Sequence, residues 1–156
     1  MRKYLIIILI SVLLISCNKE DSKSQVQENH NTNFYYGADL SYVNEMEDCN
    51  ATYKDFNGNL KDPYKIFAEA GTNLVRIRLW HNPNWTNYSN IVDVKKSIQR
   101  AKNEGINVLL DFHYSDTWAD PSHQEIPSAW LSQINNIEVL GDLLYNYTFD
   151  TLNNLA

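Results

Sequence analysis

The chain has 156 residues, a formal net charge of −6, and 44% hydrophobic and 12% aromatic residues. That length fits about one domain. No basic run follows the first residues, which excludes nucleic acid as a partner because phosphate binding needs a basic footprint; a neutral polymer is compatible with this balance.

The N-terminus reads as a targeting signal. Arg2-Lys3 precede a continuous apolar run from Leu5 to Ile15, shorter than the roughly 20 residues of a membrane span and suited to a signal peptide over residues 1–16. Leu14-Ile15-Ser16-Cys17 resembles the bacterial lipobox, in which the Cys becomes the lipidated first residue of the mature protein. The resemblance implies a lipid anchor at Cys17 and a place in the bacterial cell envelope, surface-exposed or secreted. An ordinary secretory signal with an incidental Cys is the alternative. A lipidated Cys17 leaves Cys49 without an intramolecular disulfide partner. With Glu45, Glu47 and Asp48 beside it, that thiol reads as structural, not nucleophilic. Residues 17–33 are polar and read as a flexible tether, with His30 solvated. The folded domain spans 34–156.

Phe34 to Ser41 reads as a first strand with a polar tip, and Val43 to Leu60 as a loop with a turn at Asn57-Gly58. Asp62-Pro63 predicts a capped helix start, and Gly71 its end. In the next strand, Asn73 to Trp80, alternation sends Val75, Ile77 and Leu79 one way and Arg76, Arg78 and Trp80 the other. In a barrel the apolar set meets the outer helices and the arginines enter the lumen. A helix over Ile91 to Glu104 follows, its Lys95, Lys96, Arg100 and Lys102 read as solvated surface, and Gly105 ends it. A third strand, Ile106 to about Phe112, precedes a long loop through Pro127 to Trp130. The last helix, from about Ile137, places Leu140, Leu144, Tyr147, Thr151 and Leu155 on one face.

The order β-α-β-α-β-α suits parallel strands with right-handed crossovers. The chemically distinctive residues follow strands, as at the C-terminal rim of a TIM (β/α)8 barrel. A doubly wound sheet shares the order, but its Gly-rich first turn has no counterpart in Gly37-Ala38-Asp39. A complete barrel takes about 250 residues, so the expectation is an N-terminal part holding only the first three βα units, with a small open sheet as the alternative.

The densest chemistry lies in Asp111-Phe-His-Tyr-Ser-Asp-Thr-Trp-Ala-Asp-Pro121. A carboxylate and an imidazole at a strand end, then an indole flanked by hydrogen-bonding groups, suit a sugar cleft, since a pyranose sets apolar C–H faces against an aromatic ring. Trp118 is the candidate platform, while Trp85 and Trp130 read as packing. Asp39, Asp111 and Asp116 are candidate substrate contacts, with loop capping an equal alternative for Asp39. His113 reads as a hydrogen-bonded rim residue, since no second His stands at ligand spacing; no metal site or cofactor is expected.

With these residues in view, the chain resembles the arabinogalactan endo-β-1,4-galactanases of glycoside hydrolase family 53. The resemblance runs from Gly37 to about Ala156 and includes Gly37-Ala-Asp39-Leu-Ser41, Glu45-Met-Glu47, Ala70 to Trp80 with Asn82-Pro83, and Leu144-Tyr-Asn-Tyr-Thr148. Its strongest part is Asp111 to Pro121, continued by Gln124, Pro127 and Trp130. It implies a TIM barrel that cleaves internal β-1,4-galactosidic bonds of plant galactan or arabinogalactan with retention, through two glutamates about 5–5.5 Å apart. Both glutamates are expected beyond Ala156, so no catalytic residue is assigned within the chain. Arg76 falls where related barrels place an arginine that hydrogen-bonds the nucleophile. Arg78 is expected to shape the lumen or to form a structural ion pair. With His113 these two make up the expected catalytic support. A non-catalytic glycan-binding lipoprotein, or a related endo-glycanase acting on another β-glycan, are the alternatives.

Overall fold

The computed structural model describes Phe34–Ala156; the predicted signal peptide, Cys17 and the tether with His30 lie outside the described residues. Strand β1 (Gly37–Asp39) leads through helix α1 (Val43–Asp48) and helix α2 (Pro63–Glu69) to β2 (Leu74–Leu79). Helix α3 (Ile91–Asn103), strand β3 (Asn107–Phe112), a short 3₁₀ helix (Ser128–Gln133) and helix α4 (Ile137–Leu155) follow. The strands form one parallel sheet in the order β1-β2-β3.

The alternation of β2 positions everything else. Val75, Ile77 and Leu79 are each at most 1% exposed and join Tyr64 of α2 with Val94 and Ala101 of α3 in the main core. Burying such side chains stabilises by about 1.5–3 kcal/mol each. That commits the opposite face to Arg76 and Arg78. The register pairs Asp39 with Arg76 and Arg78 with Asp111, so the three strand ends lie side by side.

The helices start and stop where their caps dictate. Asp62 accepts the Tyr64 N–H at 2.8 Å with Pro63 at the first helical position, and Gly71, at φ +91°, follows the end of α2. Asn90 caps α3 by accepting the N–H groups of Val92 and Asp93 at 2.9 and 3.1 Å. Trp130 is buried, and Thr151, Tyr147 and Leu155 turn inward from α4, whereas Leu144, on the same predicted face, is 42% exposed.

Four expectations are corrected. The first strand is confined to Gly37–Asp39, with Phe34, Tyr35 and Tyr36 exposed. The segment read as a loop from Val43 contains α1, a helix with no side-chain cap whose anchorage is tertiary. Asn44, 1% exposed, donates to Asp93 at 2.7 Å and to Ser97 at 2.9 Å. Arg100 is not solvated surface: it donates to Asn44, bidentately to Glu47 and to Asp62 at 2.7–2.9 Å, with the Tyr64 ring 4.7 Å away. Cys49 is a free, exposed thiol, so it has no packing role.

Ile77→Ala removes a fully buried side chain under the arginine face and is expected to cost about 2–5 kcal/mol, measured by urea denaturation. Asn90→Ala should cost the α3 terminus about 1 kcal/mol, seen as faster amide exchange at Val92 and Asp93.

Candidate functional site

At the strand ends a chain of hydrogen bonds crosses the sheet. Asp39 is anchored by its own turn: one oxygen accepts the Ser41 N–H at 2.9 Å and its hydroxyl at 2.6 Å. Its other oxygen meets the Arg76 guanidinium, whose second Nη reaches Asp111. One cation from β2 thus bridges carboxylates from the two flanking strands. Burial alone would raise the Asp39 pKa, but the Ser41 and Arg76 hydrogen bonds outweigh it and hold the carboxyl below its ordinary value.

The same Asp111 oxygen lies 3.0 Å from His113 Nε2, and Trp80 Nε1 lies 3.1 Å from His113 Nδ1. An indole N–H can only donate, so Nδ1 must accept and the imidazole proton sits on Nε2, directed at Asp111. Burial pushes the His113 pKa below 6.5; the nearby Asp111 charge pulls the other way, and the Arg78 charge adds to the lowering. Protonating Nδ1 would set two N–H donors against each other.

Arg78 occupies a different environment. It is 2% exposed and forms no ion pair among the described residues, so the structural ion pair is not what holds it. Its guanidinium lies 4.5 Å from the Tyr42 ring, 4.5 Å from Trp80 and 5.2 Å from Trp118. One Nη donates to Ser89 at 3.2 Å, and its backbone N–H donates to the Ser41 hydroxyl at 2.9 Å.

Trp118 stands over this cation with 45% of its surface open and its ring edge-on to His113 at 5.8 Å. Beside His113 an open pocket of about 450 Å³ is lined by Phe112, Tyr114, Asp120, Gln124 and Glu125. Tyr114, at φ +43°, holds the strained turn leading away from β3; its ring stacks on Phe112 and its hydroxyl meets Thr148 at 2.9 Å.

The structure therefore brings Asp39, Arg76, Arg78, Asp111, His113 and Trp118 together. Asp116 is a correction. One oxygen faces His81 Nδ1 at 3.2 Å and the Asn82 N–H at 3.0 Å; the other accepts the Ser128 N–H and hydroxyl at 2.9 and 2.7 Å. Its lone pairs tie the β2 loop to the 3₁₀ helix, leaving none for a sugar hydroxyl. Burial would raise its pKa, yet the Ser128, His81 and Asn82 hydrogen bonds hold it low. Trp85, read as packing, is 58% exposed, with its indole N–H on the Asp116 carbonyl at 3.0 Å and its ring 4.9 Å from Trp80. Tyr42 and the donor role of Trp80 were missed; the shared face of Arg76, Arg78 and Trp80 was the available signal for Trp80 alone.

The model of glycosyl hydrolase family 53 matches residues 35–156. The chain belongs to this family. It is 58% identical over 125 residues to an arabinogalactan endo-β-1,4-galactanase of Cellvibrio japonicus, covering 80% of this chain and 33% of that protein. A solved structure from a study of two fungal β-1,4-galactanases superposes with a TM-score of 0.71 at 46% identity, covering 78% of this chain and 35% of that one. The family 53 catalytic domain of Ignisphaera aggregans gives 0.69 at 32% identity, covering 76% and 34%. The chain thus spans about a third of the length of the relatives it matches. Its three parallel strands with their helices are a partial match to the TIM barrel of family 53.

The His113 environment yields a pH prediction. Because the folded imidazole is held below 6.5, its neutral form favours the folded state. This contribution is intact above 6.5 and is lost as pH falls from there through the folded pKa. Imidazole ¹⁵N NMR should find the Nε2–H tautomer at pH 7 and a titration midpoint below 6.5; a midpoint above it contradicts the assignment.

Proposed function

We propose that this chain is the N-terminal part of an endo-acting β-1,4-galactanase that cleaves galactan or arabinogalactan by a retaining two-glutamate mechanism. The 58% identity to an arabinogalactan endo-β-1,4-galactanase carries the reading. The strand-tip chemistry supports it. A retaining glycosidase needs one carboxylate kept ionised as nucleophile and one carboxyl kept protonated as acid. Both glutamates are expected beyond Ala156.

In this reading Arg76, already gripping Asp39 and Asp111, supplies a fixed positive field to the nucleophile. Lowering that group's pKa separates it from its partner. Neutral His113 orients Asp111 without adding charge. Asp39 and Asp111, partly open, offer acceptors to sugar hydroxyls, and the free face of Trp118 offers the apolar surface a pyranose stacks on. Polysaccharide is the partner this implies. A lipid anchor at Cys17 would place the enzyme at the bacterial cell envelope, where such a polymer arrives.

The test uses the protein extended to its relatives' full length. It should release galacto-oligosaccharides from β-1,4-galactan with retained anomeric configuration, followed by ¹H NMR, and leave mannan and cellulose intact. Cleavage of those polymers instead would overturn the substrate assignment. Binding of galactan without hydrolysis would favour a glycan-binding protein. Trp118→Ala should raise KM about 10-fold, equivalent to about 1.4 kcal/mol of binding, with a smaller change in kcat. Metabolic labelling with palmitate should mark the protein, and Cys17→Ser should abolish the label; an unlabelled wild type would remove the anchor.

A further inference from the structure

Arg78 is the buried group for which neither the hydrogen-bond chain nor the proposed reaction gives a use. A cation at 2% exposure is costly unless something compensates it. No carboxylate pairs with it among the described residues, its Nε has no hydrogen-bond partner, and one Nη reaches only the Ser89 hydroxyl. What surrounds it is aromatic: Tyr42 after β1, Trp80 at the end of β2 and Trp118 in the loop after β3. The rings come from three successive strand ends, and Arg78 is the contact they share.

We propose that Arg78 is a positioning residue for the sugar platform: its guanidinium backs the indole of Trp118 and fixes that ring for stacking by a β-linked galactosyl unit. This rests on the galactan reading and extends it. The physical argument is one of geometry and entropy. Trp118 lies in a loop with much of its surface in solvent, so a free ring would sample other rotamers and lose that freedom on each binding event. Cation–π attraction on the inner side removes the freedom beforehand and leaves the outer face clear. Galactose suits such a plate, because its axial O4 leaves the C3, C4 and C5 hydrogens as one apolar patch on the opposite face. Lysine would be a poor substitute. Its ammonium is compact and strongly hydrated, whereas a planar guanidinium stacks on several rings.

Arg76, two residues earlier, cannot take over. Its Nη atoms are engaged by Asp39 and Asp111, so its charge stays with the floor of the site. The two arginines of β2 thus divide between a polar task and an aromatic one.

The experiment measures β-1,4-galactotetraose binding by isothermal titration calorimetry on the intact chain, its Arg78→Met, Arg78→Lys and Trp118→Ala variants, and the double variant Arg78→Met/Trp118→Ala. Arg78→Met should bind about 10-fold more weakly, within the range of a desolvated cation–π contact, and Arg78→Lys should recover part of the loss. The double variant should bind no more weakly than Trp118→Ala alone, because Arg78 acts only through that ring. Wild-type affinity in Arg78→Met, or additive losses in the double variant, would overturn the proposal. A second arm needs no sugar. The Trp118 contribution to near-ultraviolet circular dichroism, taken as wild type minus Trp118→Phe, should collapse in the Arg78→Met background and be retained only in part in Arg78→Lys. Its persistence in Arg78→Met overturns the positioning role. If the wild-type chain binds no galactotetraose, the sugar-platform proposal fails for this chain, whereas the galactan reading stands or falls on cleavage by the full-length protein; the dichroism arm then decides whether Arg78 sets the ring. Should Arg78→Met not fold, Arg78→Gln, planar and neutral, takes its place in both arms with the same expectations.

Discussion

Strand β2 puts two arginines on one face, two residues apart, and each must be neutralised without help from the other. Arg76 draws on carboxylates from both neighbouring strand ends, while Arg78 draws on the rings of Tyr42, Trp80 and Trp118. Neither solution is available to an isolated strand. The parallel register is what brings Asp39 and Asp111 to either side of Arg76. The Arg76 contacts are partly open to solvent, so they add little to stability. Their effect is positional: one flat cation fixes the spacing of three strand ends.

That face is held by its opposite. A slip of one residue in β2 would send Val75, Ile77 and Leu79 into the site and the arginines into the core. The apolar set, sealed by Tyr64, Val94 and Ala101, makes such a slip prohibitive. A polar staple then fixes the helices to the strand-end loops. Asn44 links α1 to Asp93 and Ser97, and Arg100 gathers Asn44, Glu47 and Asp62 at the same seam. The segment following β1, which carries Tyr42, is thereby tied to α3. The geometry around Arg78 is thus set partly from the far side of the sheet.

The sequence made the strand face readable because period-two alternation is local, and Val75 to Trp80 shows it without interruption. Asp62-Pro63 and Gly71 were readable for the same reason, since capping involves atoms a few residues apart. Helix α1 was not, because its stability comes from Asn44 and Glu47 meeting partners about fifty residues away. Arg100 looked like one basic residue among several on a helix, and only the fold shows which one turns inward. Asp116 misled in another way. A carboxylate in a loop rich in polar groups invites a substrate role, yet His81, Asn82 and Ser128 had already claimed it, and none of them adjoins it in the chain. Residue type identified which strand ends carry polar groups, while the direction of each lone pair depended on distant chain.

The direction of the hydrogen-bond chain bears on the division of labour in the proposed reaction. Trp80 donates to His113, His113 donates to Asp111, Arg76 donates to Asp111 and Asp39, and Ser41 donates twice to Asp39. Every donor but Trp80, which meets the His113 ring, points at a carboxylate, and none of the links asks either carboxyl to give up a proton. A general acid requires the reverse: surroundings that keep a carboxyl protonated, usually an apolar wall or a neighbouring negative charge. Asp39, with its pKa held low, is the wrong group for that task. The strand ends of this chain therefore supply fixed charge, acceptors and an aromatic surface, and in the proposed reaction proton transfer to a leaving group falls to residues outside this chain of donors.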